Sequence, residues 1–197
     1  LTAPFAFLGR RYDLALKAVY TTYSTNQLVS KHPVRGLLGG DSLSSNAPLA
    51  RVIASYVDGA FMEEVAREHE KGRRLLIGTT NLDAQRPVIW DMGRIANSGD
   101  PDALALFRNV LLASAAIPGV FPPVYIKVQV EGQMDEEMHV DGGTTNQVFL
   151  LPTQVKAGNI TAKLGVNPIR SLYIIRNGRV APEFKVVKAN TLDIAGR

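Results

Sequence analysis

The run LLIGTT at residues 75–80 is the feature that most constrains the fold of this chain. Its apolar start does not alternate with polar residues, which is typical of a β-strand covered on both faces. Apolar residues recur at helical spacing in segments 12–20, 46–56, 59–70 and 102–112, and further strands are predicted at 87–90, 137–140 and 172–175. Helices interleaved with strands predict an α/β fold, in which a layered sheet carries helices on both faces.

Local signals predict where several of these elements begin and end. Asp13 is expected to contribute to the N-terminal cap of the first helix, and Asn46 followed by Pro48 predicts a cap and a first turn for the second. Gly72 is suited to end the third helix. The polar, glycine-rich stretch at residues 21–45 predicts a long loop, and loops of that length are usually functional or disordered.

The length of 197 residues, with 46% apolar composition, favours a single domain over residues 1–197. The chain opens on Leu1 rather than Met and closes on a segment that is typical of a helix just begun. We therefore expect the domain to be partial, cut at both ends.

Composition and charge exclude several classes of site. The chain has no Cys, so disulfides, thiol nucleophiles and Cys-based metal sites are excluded within it. The longest uncharged run, at residues 110–126, is interrupted by three prolines and is shorter than the roughly 20 apolar residues of a membrane-spanning helix. The net charge of +4 predicts mild attraction to anionic surfaces, including phospholipid headgroups. Nucleic acid is not a predicted partner, because the basic residues are scattered and not interleaved with aromatic ones.

Asp141 is the main candidate for a functional residue. An Asp-Gly pair on its own is typical of a turn. Here, however, Asp141 follows the apolar strand at 137–140, and Gly142 and Gly143 allow the backbone to turn sharply while another segment comes close. The pattern predicts a carboxylate at the carboxyl end of a strand, where open α/β sheets gather their ligands.

Two segments taken together resemble the patatin-like phospholipases. They are ASAAIPGVFPP at residues 113–123 and a strand that ends in Asp-Gly-Gly at residues 141–143. TTNLD at 79–83 with PVIW at 87–90 resembles the central strand pair of that family, and residues 1–6 resemble the helix that follows its nucleophile elbow. The resemblance therefore covers nearly the whole chain.

This resemblance implies a lipid acyl hydrolase that uses a Ser-Asp dyad without a catalytic His. Asp141 would be the general base, and Gly142 and Gly143 would complete the family's Asp-Gly-[Ala/Gly] motif. Apolar neighbours such as Phe121, Val140 and Val148 are expected to shield Asp141 from water and so make it a better base. The implied partner is an ester lipid at a membrane or micelle surface, and no cofactor or metal is implied.

The chain departs from the family pattern in one important respect. No Gly-x-Ser-x-Gly motif occurs in the 197 residues, and neither does the family's glycine-rich oxyanion loop. The segment most similar to this motif, around Ser42, lacks the closing glycine and the preceding strand that a nucleophile elbow requires. We therefore expect the serine to lie upstream of Leu1 and the 197 residues alone to be inactive. The alternative is a non-catalytic lipid-binding or scaffold protein that retains a degenerate form of the fold.

Two further groups of side chains have residue types that are found in metal sites or in glycosidases. His139 and Asp141 form a His-x-Asp pair, but a catalytic zinc site normally takes three protein ligands, and no other His has a supporting spacing. The carboxylates at residues 135–137 invite comparison with a glycosidase pair. The polar residues around them instead predict the solvated tip of a hairpin.

Overall fold

The computed structural model describes residues 2–24, 27, 30–31, 44–130, 132–145 and 173–174. The chain divides into two compact units, Leu1–Leu150 and Leu151–Arg197. Nearly all described residues belong to the first unit, and in the second Tyr173 and Ile174 lie in neither helix nor strand. Of the strand predicted at 172–175, residues 172 and 175 lie outside the described residues, and the two described residues are not in a strand. The single domain over 1–197 stays a prediction.

Four of the six described α-helices agree closely with the segments predicted from apolar spacing. The six helices are α1 (Thr2–Leu8), α2 (Asp13–Thr22), α3 (Ala47–Tyr56), α4 (Gly59–Glu70), α5 (Met92–Ala96) and α6 (Ala103–Ala113), with a 3-10 turn at Gly9–Tyr12. The bounds of α4 match the prediction residue for residue, and α6 is shifted by one residue. None of the described helices combines the length and the apolar character that are needed to cross a membrane.

The helix caps differ in detail from the predicted ones. Asn46 occupies the N-cap position of α3, but its side chain makes no capping hydrogen bond. Ser45 Oγ instead accepts a hydrogen bond from the Ala47 N–H at 3.2 Å. Asp13 is the first residue of α2 rather than its cap, and its carboxylate pairs with Arg10 Nε at 3.7 Å. Both predictions placed the helix start correctly to within a residue and were wrong about which side chain caps it.

Six described strands form two sheets. Strands β1 (Ser30–Lys31) and β2 (Ser44–Ser45) pair with each other inside the predicted long loop. Strands β3 (Leu76–Asn81), β4 (Arg86–Asp91), β5 (Val124–Val130) and β6 (Gln133–Asp141) form a four-stranded antiparallel sheet in the order β4-β3-β6-β5. The hairpins β3-β4 and β5-β6 meet through three residue pairs, Thr79↔Asp141, Thr80↔Val140 and Asn81↔His139.

The core packs helices α3 to α6 against one face of this sheet. Ile77 and Trp90 are cross-strand partners on that face, and Val124 and Ile126 continue it on β5. Phe61 and Phe107 meet edge to face beneath them, with ring centroids 5.9 Å apart. The α/β fold predicted from the sequence is confirmed.

Arg108 joins two of the helices that flank the site. Its Nε donates to the Val57 carbonyl at 2.8 Å, and an Nη donates to the Ala54 carbonyl at 3.3 Å. These carbonyls belong to the last turn of α3 and its C-cap, where the helix itself supplies no N–H partners. Arg108 therefore fixes the end of α3 against α6.

Candidate active site

Asp141 is the last residue of β6, and a 3-10 helix, Gly142–Thr144, follows it directly. The predicted position of this carboxylate at a strand's carboxyl end is confirmed. The Asp141 N–H donates to the carbonyl oxygen of Ala116 at 3.0 Å. The structure thus brings together the two segments that carry the sequence resemblance, Asp-Gly-Gly and the loop after α6.

The Asp141 carboxylate is held by one of its two oxygens. Its Oδ1 accepts a hydrogen bond from the Gly143 N–H at 2.8 Å, which fixes the side chain over the turn that follows it. Oδ2 accepts no hydrogen bond from the described residues, and the side chain is half-buried. One oxygen is therefore oriented by the backbone, and the other has no partner within the described part of the chain.

Gly142 lies against the backbone of β3. A Cβ added to Gly142 would come within 2.5 Å of the Gly78 carbonyl oxygen and 2.7 Å of its carbon. Contacts that short do not occur in folded proteins, so any side chain at this position would push the 3-10 helix off the strand. The glycine of the motif is explained by this close approach.

The hydroxyl of Thr80 contacts the same turn from the neighbouring strand. Thr80 Oγ1 donates to the Asp141 carbonyl oxygen at 3.1 Å and lies 3.0 Å from Thr145 Oγ1. Thr145 lies just after the 3-10 helix, and its N–H donates to the Gly142 carbonyl at 3.1 Å. Both ends of the turn are therefore bonded to one strand.

A second polar network lies on the sheet face that carries the Asp141 side chain. Trp90 Nε1 donates to Thr79 Oγ1 at 2.8 Å, and the same oxygen is 2.9 Å from His139 Nδ1. His139 Nε2 lies 3.3 Å from Glu137 Oε2. The arrangement satisfies every group if the Thr79 hydroxyl donates to Nδ1 and a neutral His139 carries its proton on Nε2. His139 is fully buried and is engaged on both ring nitrogens.

A cavity of about 520 Å³ opens beside Asp141. Its lining combines the turn residues Asp141, Gly142 and Gly143 with Thr79 and Ser114, and otherwise consists largely of apolar side chains from α1, α3, α6, β3 and β4. Asp141 carries the only formal charge among the described residues of this lining. The carboxylate therefore faces a mainly apolar space.

The other candidates from the sequence have different surroundings. Ser114 lines the cavity, but its hydroxyl donates to the Leu111 carbonyl at 2.9 Å, within the end of α6. Ser42 lies outside the described residues, and so does Val148. Within the described part of the chain, no group of three or more His, Cys, Asp or Glu side chains is arranged to hold a metal ion.

The acidic residues of the β5-β6 hairpin lie on strand β6 rather than at the tip. The hairpin itself is confirmed, with its strands ending at Val130 and beginning again at Gln133. Asp135 faces Val128 across the ladder, and Glu136 faces Lys127. The placement of the carboxylates in the tip was wrong because pairing with β5 extends β6 into residues that have no apolar alternation.

Sequence reasoning missed the two threonines of β3 that support the site. Thr79 and Thr80 are typical strand residues, and nothing local distinguishes a hydroxyl that packs from one that bonds across the sheet. Their roles depend on partners about 60 positions away, since Thr79 and His139 are separated by 60 residues. The sequence contains no signal for that register.

The fold and the site define an α/β protein in which a turn after a strand presents a carboxylate to an apolar cavity. A family model described as patatin-like phospholipase matches residues 1–153, and the chain belongs to this family. The resemblance found in the sequence is thereby confirmed. The family is one of lipid acyl hydrolases, so ester lipids are the substrate class at family level. No curated protein matches the chain.

Proposed function

We propose that the chain carries the basic half of a Ser-Asp dyad in a lipid acyl hydrolase, with Asp141 as the general base. The observation that supports this most directly is the unequal use of the two carboxylate oxygens. Oδ1 is bonded to the Gly143 N–H at 2.8 Å, whereas Oδ2 has no partner among the described residues, and Asp141 lines the cavity. A fixed carboxylate with one free oxygen is the geometry that proton abstraction requires.

The proposed mechanism has two stages. Asp141 takes the proton of a serine hydroxyl as the serine oxygen attacks the ester carbonyl, and the alcohol leaves with that proton to give an acyl-enzyme. Asp141 then takes a proton from water as the water attacks the acyl group. It returns that proton to the serine oxygen as the bond between serine and acyl group breaks, which releases the fatty acid and restores the dyad. Because no His takes part, both proton transfers depend on the position of Asp141 alone.

The serine is proposed to lie in residues that precede Leu1 in the natural protein, because no Gly-x-Ser-x-Gly motif occurs in the 197 residues. An elbow is a strand, a sharp turn and a helix. Within the described residues, the Leu76–Gly78 part of β3 has register partners on β4 only. That edge and Ala3 of α1 both line the cavity beside Asp141. A strand that leads into α1 and pairs there would bring its serine next to the carboxylate.

The proposed substrate is an ester lipid that reaches the site from a membrane or micelle surface. Ile117 and Val120 are 51% and 40% exposed, and they lie in the turn that follows Ala116, the residue that binds the Asp141 N–H. The uncharged run at 110–126 contains this turn, so these exposed apolar side chains have no charged neighbour in the adjoining sequence. Such a surface suits contact with lipid better than contact with an acidic or basic partner.

The test uses the natural protein with its upstream residues and a chromogenic fatty-acyl ester. Asp141→Asn should lower turnover by a factor of about 100 to 10,000, which is the usual contribution of a general base. Asp135→Asn, an exposed carboxylate on the same strand, is the matched control and should retain full turnover. The 197-residue chain alone should be inactive.

Two outcomes would contradict the dyad. One is undiminished turnover in Asp141→Asn, and the other is ester cleavage by the 197-residue chain alone. The upstream sequence gives an independent check. Ala or Gly in place of the expected elbow serine would favour the alternative, a lipid-binding or scaffold protein without catalysis.

A further inference from the structure

We infer that Thr80 is a positioning residue for Asp141, and that its hydroxyl holds the turn that presents the carboxylate. The inference rests on the proposed function of Asp141 and assigns a role to a residue outside the dyad. Thr80 is 3% exposed and is not among the residues that line the cavity. It acts on Asp141 through the backbone and touches neither carboxylate oxygen.

The hydroxyl of Thr80 has one proton to donate and two lone pairs to accept with. Thr80 Oγ1 lies 3.1 Å from the Asp141 carbonyl oxygen, which can only accept. Either hydroxyl can donate in the 3.0 Å contact between Thr80 and Thr145, because the Gly142 carbonyl at 3.3 Å is a second acceptor for Thr145. We assign the Thr80 proton to the Asp141 carbonyl, which makes Thr145 the donor to Thr80.

The hydroxyls of Thr80 and Thr145 connect the two ends of the 3-10 helix. The first link in this connection is attached to the carbonyl of Asp141, just before Gly142–Thr144, and the second to Thr145, just after it. Each bond polarises the next in the same direction, which strengthens both. The turn that carries the Gly143 N–H, the donor to Asp141 Oδ1, is thus held at both ends by one side chain of β3.

The ladder between β3 and β6 explains why such a support is needed. The two strands share three residue pairs, and the last of them places Asp141 opposite Thr79. Beyond that pair the backbone leaves the strand, so no further ladder bond holds it. Two contacts hold β3 to the turn past the last of these residue pairs. One is the hydrogen bond from Thr80 Oγ1 to the Asp141 carbonyl, and the other is the close packing of Gly142 on Gly78.

The expected effect of losing the hydroxyl is kinetic. A displacement of about 1 Å at a reacting group costs on the order of 100-fold in rate, and the loosening of one end of a turn is a smaller change. Thr80→Val keeps the shape of the side chain and replaces its hydroxyl with a methyl group. We expect it to lower kcat by about 10-fold while KM stays within about 2-fold, since the residue does not touch the cavity.

The experiment measures kcat and KM of the natural protein on a short soluble ester, with folding checked by circular dichroism. Thr80→Ser restores the hydroxyl and should recover kcat to within about 3-fold of the parent. Thr145→Val removes the outer link only and should cause a smaller loss than Thr80→Val. Thr21→Val removes an exposed hydroxyl that donates to the Lys17 carbonyl and serves as the matched control, with no expected change.

A second readout does not depend on catalysis. The Gly143 amide is bonded to Asp141 Oδ1, so its hydrogen exchange in the natural protein reports whether the turn is held. Thr80→Val should make that amide exchange several times faster, and Thr80→Ser should not. If Thr80→Val fails to fold, Thr145→Val gives the same test from the other link.

The outcomes separate this inference from the proposed function. Full turnover in Asp141→Asn would defeat the dyad. Loss of turnover in Asp141→Asn together with parental kcat in Thr80→Val would overturn the positioning role and leave the dyad intact. A loss in Thr80→Val that Thr80→Ser does not recover would also overturn it, because the hydroxyl would not then be the cause.

Discussion

The backbone N–H of Asp141 donates to the carbonyl oxygen of Ala116 at 3.0 Å. Ala116 is 1% exposed and belongs to the core cluster, so its main chain is fixed by packing. The loop after α6 thus contributes a rigid backbone acceptor to the candidate base. Under the proposed function, this loop supplies the acceptor and Asp141 supplies the base.

Gly142→Ala should destabilise the protein because a Cβ at this position would lie 2.5 Å from the Gly78 carbonyl oxygen. Forced overpacking of this kind costs about 1–3 kcal/mol of unfolding free energy. Urea unfolding of the natural protein measures this loss of unfolding free energy. Gly59→Ala, at the start of α4 with nothing within 4 Å of the added Cβ, is the control and should leave stability unchanged or slightly raised. Equal stability of both variants would contradict the close approach of Gly142 to β3.

Trp90→Phe should weaken the network on the Asp141 face of the sheet. The substitution removes the Nε1–H that donates to Thr79 Oγ1 at 2.8 Å, and a buried hydroxyl loses a partner. The expected cost is about 1–2 kcal/mol, measured by denaturant unfolding. Tyr125→Phe on β5 also removes a polar group from an aromatic ring, but this ring is 49% exposed, and the change should stay within about 0.5 kcal/mol. A Trp90→Phe variant as stable as Tyr125→Phe would show that the indole bond contributes nothing.

Glu68→Gln should reduce stability at neutral pH and have little effect in acid. The Lys71 ammonium donates to Glu68 Oε1 at 2.7 Å, and Arg73 Nε lies 3.1 Å from Oε2, so these cations lower the pKa of Glu68 below its ordinary value of 4.5. When a carboxyl group has a lower pKa in the folded state than in the unfolded state, it stabilises the fold at a pH above its unfolded-state pKa. This stabilisation is lost as the pH falls through the folded-state pKa. Thermal unfolding at a series of pH values measures the difference from the parent.

The control for this pH dependence is Glu70→Gln, two positions along the same helix, because Glu70 forms no ion pair with the described residues. Its difference from the parent should be small at every pH. A Glu68→Gln difference that persisted unchanged well below pH 4.5 would mean that the effect is not caused by the carboxylate charge.

Local patterns in the sequence were enough to predict four of the described helices and the start of the four-stranded sheet. The bounds of α4 follow from its apolar spacing and the residues at its ends, and Asp58 caps it by accepting from the Phe61 N–H at 2.8 Å. Helix α5 and strand β5 were not predicted. Helix α5 has only five residues, too few to give a clear periodic pattern. Strand β5, in contrast, has Val or Ile at the alternate positions 124, 126, 128 and 130, so its sequence carries a strand signal that the prediction missed.

The candidate site was predicted in part. The position of Asp141 at the end of a strand follows from the apolar residues before it and the glycines after it. The expectation that ligands gather at the carboxyl end of a strand came from parallel sheets, whereas every strand pair described here is antiparallel. The contributions of Thr79, Thr80 and Ala116 depend on contacts between segments far apart in sequence, and no local pattern encodes those contacts.

The three-residue junction between β3 and β6 has a consequence for how the protein folds. Each hairpin is local and can form within about 1–10 μs, whereas their junction joins positions 60 apart and must first close a long loop. Asp141, Thr80 and Thr79 lie on the two sides of that junction. A chain with both hairpins formed and the junction open therefore has most of its sheet, but it lacks the contacts of Asp141 with Thr80 and of His139 with Thr79. The carboxylate acquires these surroundings only when the sheet is completed.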